Sequence, residues 1–247
     1  MKIEILEISN SNIKFILHSN VSFANSLRRI LLSEVPALAI DYVEISENTS
    51  VFADEMLANR LGLLPLAGKS ELTLKDECDC DVYCENCAVV FELNKINESK
   101  VGENLVVYGK DLIALDGNYS GIETNSIICK LAPKQTISLK AIARKGVYTH
   151  SKYCPVTAVK FSYDEENKKK HLKLWKENDQ PAKLSWPHVN EDPKTVDFSP
   201  VEKVTMDVEI VEGMGKAKEI LIAALEIYKR KMMKIKEGIT EAIENEY

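Results

Sequence analysis

The 247-residue sequence has no long apolar run. Its longest, residues 220–225, spans six positions, against about 20 for a helix that crosses a bilayer. A basic surplus is also missing. With 32 Lys and Arg against 38 Asp and Glu the formal net charge is −6, whereas a protein that holds nucleic acid alone draws most of its affinity from neutralised phosphates. No membrane association and no direct sequence-specific nucleic-acid binding are expected. Glycine and proline, ten and eight residues, are too few for a collagen-like or low-complexity chain. The four histidines, His18, His150, His171 and His188, are widely spaced, and only Gly213 and Gly215 come close together. Neither a histidine pair for a metal nor a phosphate-cradling glycine loop is present, so no catalytic residue is expected. The start, Met1-Lys2-Ile3-Glu4-Ile5-Leu6-Glu7, carries acids where a signal peptide needs an apolar block. The mature chain is expected to start here and stay inside the cell.

What is present is ordinary globular material, 45% hydrophobic and 28% charged, enough for one generous domain or two small ones. Ile3 and Ile5, then Ile13, Phe15 and Leu17, alternate with polar residues around the turn Asn10-Ser11-Asn12, which predicts a β-hairpin. From Ser22 the period changes. Phe23, Leu27, Ile30 and Leu31 recur at helical spacing, with Ser22 placed to cap the helix and Pro36 to stop it near Val35. A strand is predicted over residues 37–45, and a short helix over 54–61 with Asp54 as its cap and Gly62 just past its end. Residues 88–93, Ile137 to Ala143 by alternation, and Val159, Phe161 and Tyr163 read as strands; residues 94–126 read as short strands and loops in no fixed order. Residues 164–200, with Lys168-Lys169-Lys170, Trp175 and Trp186, read as a long surface connection. Val204, Met206, Val208 and Ile210 give the cleanest alternation. A long helix is predicted over 216–245. Along it Leu221, Leu225, Tyr228, Met232, Ile235 and Ile239 step by four, three, four, three and four. At about 45 Å it outruns a small two-layer domain, so part of its apolar face is expected to meet another chain.

Four of the six cysteines fall within ten residues, as Cys78-x-Cys80-x3-Cys84-x2-Cys87. Four thiolates suit a tetrahedral zinc ion, and with every ligand supplied by protein the site is structural rather than catalytic. An iron–sulfur cluster uses the same donors, and spacing leaves that alternative open. Cys129 and Cys154 read as isolated packing residues. Five acids, Asp76, Glu77, Asp79, Asp81 and Glu85, stand among the thiols and would repel phosphate.

Three stretches resemble one family. Phe23-Ala24-Asn25-Ser26-Leu27-Arg28-Arg29-Ile30-Leu31-Leu32-Ser33-Glu34-Val35-Pro36 is similar to the signature helix of alpha-type RNA polymerase subunits. Asp54-Glu55-Met56-Leu57-Ala58-Asn59-Arg60-Leu61-Gly62-Leu63-Leu64-Pro65-Leu66 matches the eukaryotic and archaeal branch, and the cysteine run resembles the zinc loop of the third-largest subunits of eukaryotic RNA polymerase II. Weaker echoes follow in Ala143-Arg144-Lys145-Gly146, in residues 153–163 and in the last helix.

The resemblance implies an α+β fold. A sheet-and-helix dimerisation domain, residues 1–47 and 155–247, would be interrupted by a mostly-β insertion, residues 48–154, that carries the zinc loop at 78–87. It also implies a non-catalytic, nuclear assembly subunit needed for mRNA transcription. Such a subunit forms a heterodimer with a smaller alpha-like subunit and is the platform on which the two large and two small zinc-binding polymerase subunits dock. Alternatives within the family are the equivalent subunit shared by RNA polymerases I and III and the archaeal D-type subunit. The implied sites are one structural Zn2+ on Cys78, Cys80, Cys84 and Cys87, and a partner interface of Phe23, Leu27, Ile30 and Leu31 with Leu221, Leu225 and Tyr228. Arg28 and Arg29 would reach a large subunit, and Arg60 would hold its own domain together.

Overall fold

The structure, a computed structural model, describes residues 2–68, 72–99, 102–115, 119, 125–148, 150–164, 167–168, 175–176, 188–189 and 201–245. The fold is α+β, built on two four-stranded sheets with separate hydrophobic cores. Among the described residues no helix is long and apolar enough to cross a membrane.

The first sheet has the order β1 (Lys2–Ile8), β2 (Asn12–His18), β12 (Lys203–Ile210), β9 (Val156–Tyr163), all antiparallel. Alternation puts Ile13, Phe15, Leu17, Val204, Met206 and Val208 on one face, each no more than 2% exposed. Helix α1 (Val21–Ser33) and the first half of helix α3 (Ala217–Asn245) cover that face through Ala24, Leu27, Ile30, Leu31, Ile220, Ala224 and Ile227. α1 begins two residues before the predicted start, so Asn20 rather than Ser22 holds the cap. The Asn20 side-chain oxygen accepts the Phe23 amide at 2.9 Å, while Ser22 lies inside the first turn.

The second sheet has the order β3 (Ala37–Asn48), β8 (Thr136–Gly146), β4 (Ala88–Ile96), β6 (Ile113–Ala114). The boundary predicted at residue 47 assigns β3 to the first domain; instead β3 pairs along β8, and its Leu38 and Ile40 join the second core. Strand membership follows a register partner a hundred residues away, which local pattern does not reveal. Helix α2 (Asp54–Gly62) packs Leu57 and Leu61 on this core. Its cap position is Ala53. Asp54 lies within the first turn, where its carboxylate accepts from Asn48 Nδ2 at 2.7 Å and faces the positive helix end. β5 (Leu105–Tyr108) and β7 (Ile127–Leu131) form a small antiparallel pair beside it. Arg60 on α2 donates to the carbonyls of Ile127 and Ile128 at 2.8 and 2.7 Å, with its guanidinium carbon 5.1 Å from the Phe52 ring centre, so it ties α2 to β7 within the chain.

Within 164–200, a two-residue ladder joins β10 (Trp175–Lys176) to β11 (His188–Val189). Lys169, Lys170, His171 and Trp186 lie outside the described residues.

Candidate metal centre and assembly surface

The cysteine loop connects the short 3-10 turn Lys75–Glu77 to β4 and packs on the face of the second sheet opposite α2. There Cys78, Cys80, Tyr83 and Cys84 meet Tyr42, Val90 and Ile142. Its second half is a tight turn in which the amides of Cys87 and Ala88 both donate to the Cys84 carbonyl, at 3.1 and 3.0 Å. Its first half is held by Lys75, whose ammonium donates to the Cys80 carbonyl at 2.6 Å and lies 3.3 Å from the Cys80 sulfur. The Thr73 amide donates to the Asn86 carbonyl at 2.9 Å and draws the two ends of the loop together.

These restraints bring all four sulfurs within 4.8 Å of one another. The separations Cys78–Cys84, Cys80–Cys87 and Cys84–Cys87 are 3.6, 3.5 and 3.8 Å. None of the six cysteines is in a disulfide. Four thiolates about 2.3 Å from a tetrahedral centre lie about 3.8 Å apart. The set therefore fits one metal ion and can hold it with no further ligand. Thiols this close share protons. Hydrogen bonds from Cys80 and the neighbouring thiols draw Cys78 down to about 7. Burial and the neighbouring thiols push Cys87 up to about 12. A cation placed between them takes over the role of the shared protons. Cys129 is 1% exposed in the second core. The Cys154 thiol donates to the Val156 carbonyl at 3.1 Å. Neither belongs to the cluster.

The predicted interface residues divide into two groups. Leu27, Ile30 and Leu31 are 1%, 3% and 0% exposed. They pack on the chain's own sheet in the first core. Phe23, Leu225 and Tyr228 are half-buried, and the Phe23 and Tyr228 rings meet edge to face at 4.9 Å. Leu221 is buried in the first core. Lys231 pairs with Glu34 at the end of α1. Every residue of α3 from Lys229 to Glu244 is exposed, a projecting stretch about 24 Å long. Met232, Ile235, Ile239 and Ile243 on it are 43%, 54%, 56% and 55% exposed. Ile3, Ile5 and Ile8 of β1 stand opposite Leu17, Phe15 and Ile13 and so share the helix-covered face, yet are 39%, 59% and 54% exposed. The apolar face of the first sheet thus continues past the cover its own helices provide. Arg28 and Arg29 lie on the outer side of α1. Arg28 donates to the Asn25 side-chain oxygen, and among the described residues neither arginine pairs with a carboxylate.

The sequence pattern did not mark Asp41. A β-bulge between Ile40 and Tyr42 leaves it without a partner on β8 and turns its carboxylate toward Lys152, Tyr153 and Arg144, at 3.0, 3.1 and 3.3 Å. Burial opposes its ionisation. Lys152, Tyr153 and Arg144 outweigh that and hold the carboxyl below the ordinary range.

The model of the RNA polymerase Rpb3/Rpb11 dimerisation domain matches residues 15–232. The chain is 36% identical to DNA-directed RNA polymerase II subunit RPB3 of Schizosaccharomyces pombe, over 93% of this chain and 84% of that protein. It is 37% identical to subunit 3 of DNA-directed RNA polymerases II, IV and V of Arabidopsis thaliana, over 67% of this chain and 57% of that protein. With DNA-directed RNA polymerase subunit Rpo3 of Methanothermobacter thermautotrophicus the identity is 36%, over 66% of this chain and 62% of that protein. The match thus spans less than two thirds of the plant and archaeal relatives. A bare apolar stripe, a compact four-cysteine loop and a family match across most of the chain agree: the chain belongs to the RNA polymerase Rpb3/Rpb11 dimerisation family.

Proposed function

We propose that this chain is the third-largest, non-catalytic assembly subunit of a nuclear DNA-directed RNA polymerase II. It pairs with a smaller alpha-like subunit, and the pair is the platform on which the two large and two small zinc-binding subunits dock. The observation that carries this reading is the distal half of α3, an apolar stripe exposed along about 24 Å of helix. A second helix of the same kind laid across it, reaching the uncovered part of β1, would bury both. The family match and the resemblance to RPB3 support that choice of partner.

The division of labour follows the two cores. Residues 2–36 and 155–245 would form the pairing domain and residues 37–154 the insertion, with β3 counted in the insertion because it belongs to that sheet. Arg28 and Arg29 would meet a large subunit. Cys78, Cys80, Cys84 and Cys87 would hold one structural Zn2+. Sulfur separations of 3.5 to 3.8 Å favour a single ion, because a cluster of several irons needs its thiolates farther apart. When bound, the ion supplies a cross-link that closes the loop.

Co-expression with the smaller alpha-like subunit and light scattering of the purified product tests the pairing. A one-to-one heterodimer is expected. A chain that stays alone in the presence of that subunit would refute it.

A further inference from the structure

We infer that Arg144, which is not a metal ligand, is the positioning residue of the cysteine loop, and that through Asp41 it ties the loop to the turn by which the chain leaves the second sheet. The inference rests on reading the four cysteines as a metal site. Arg144 lies on β8, and its side chain is only 13% exposed. Its Nη2 donates to the Val82 carbonyl at 2.5 Å, its Nη1 lies 3.3 Å from Asp41 Oδ2, and its guanidinium carbon sits 5.1 Å from the Tyr42 ring centre. Val82 is the middle residue of the segment Asp81-Val82-Tyr83, which must double back for Cys80 and Cys84 to converge. Fixing that one carbonyl fixes the return. The neighbouring Lys145 donates to the Leu72 carbonyl at the loop's entry, at 3.1 Å. Successive residues of one strand thus hold the entry and the apex, and the exit runs directly into β4.

The other end of the tie is as well defined. Asp41 Oδ1 accepts from Lys152 Nζ at 3.0 Å and from the Tyr153 hydroxyl at 3.1 Å. Tyr153 is 6% exposed, and its ring lies 2.8 Å from where a Cβ on Gly146 would stand. One hydrogen-bonded chain therefore runs from Val82 through Arg144 and Asp41 to Lys152 and Tyr153, just before the strand that returns to the first sheet. Arg144 Nε is buried with no acceptor among the described residues. That cost fits a guanidinium placed to serve two partners rather than a cation resting on a surface. A lysine cannot replace it, because one ammonium cannot span Val82 and Asp41 and also stack on Tyr42.

The test uses the full chain, loaded with zinc, and measures zinc content and its release to a chromogenic chelator. Wild type should hold one zinc. Arg144→Met and Arg144→Lys should both release it about 10–100-fold faster, the range for lost outer-shell partners. Asp41→Asn, which leaves the loop untouched, should also release it faster. Arg60→Met breaks a comparable arginine–carbonyl clamp away from the loop and should release zinc at the wild-type rate. Coupling is reciprocal, so removing zinc from wild type should speed amide exchange over residues 150–156. Wild-type release from Arg144→Met, full rescue by Arg144→Lys, or equal acceleration by Arg60→Met would each overturn the inference while leaving the metal site intact. A wild-type chain that takes up no zinc would overturn both.

Discussion

Replacing Ile235 and Ile239 together by serine separates pairing from folding. Both lie on the projecting half of α3, 54% and 56% exposed, so the isolated chain has already buried a little under half of each. Full burial of an isoleucine side chain contributes about 1.5–3 kcal/mol. The part still to be buried against a partner is then about 1–1.5 kcal/mol each, or about 2–3 kcal/mol for the two. At about 1.4 kcal/mol per tenfold change, the double variant should weaken the heterodimer roughly 30- to 150-fold. Its isolated thermal midpoint should barely move, because neither residue reaches the first core. Titration of a labelled smaller subunit reads the first quantity and differential scanning fluorimetry the second. Unchanged affinity, or a loss of stability that accounts for the whole effect, would refute the assignment of this stripe to the partner.

Cys84→Ser should empty the metal centre and make residues 72–88 sensitive to protease while leaving pairing largely intact; a pairing defect as large as that of Leu27→Asp would contradict the separation of the two cores. Gly146→Ala should destabilise the second sheet by about 1–3 kcal/mol, because the new methyl would stand 2.8 Å from the Tyr153 ring. Denaturant unfolding should show it, and Tyr153→Ala should relieve part of the cost. Asp41 has a folded pKa below its unfolded value of 3.8. Its contribution is therefore full above that value and is lost as the pH falls through the folded one. The difference in thermal midpoint between wild type and Asp41→Asn should be clear near neutrality and shrink as the pH falls below 3.8. A difference that does not change with pH would contradict the role given to this carboxylate.

The four-cysteine cluster was legible because its signal is local. Four thiols in ten residues name their own chemistry, and the structure adds only the distances. The long helix was legible for the same reason, since a stripe repeating by three and four declares a face, and its length shows that the face exceeds one sheet. Non-local pairing hid the rest. β3 reads as a strand in either domain, and only its partner on β8 decides between them. Nothing in the sequence pattern marks Asp41, because a bulge depends on the register of two strands about a hundred residues apart. Arg144 stood in one of the weaker echoes of the family, but its part in holding Val82 emerges only when β8 and the cysteine loop are brought together. The cap at Asn20 was missed by two residues, the usual latitude of a helix end.

On the proposed reading, this chain organises a polymerase rather than catalysing or reading nucleic acid by itself. Mass spectrometry of everything that co-purifies with the tagged chain from its own cells tests it most directly. The two large subunits of RNA polymerase II, the smaller alpha-like subunit and the small zinc-binding subunits are expected in equal amounts. Recovery of polymerase I and III subunits instead would contradict the polymerase II assignment, and recovery of no polymerase subunit would contradict the assembly role itself.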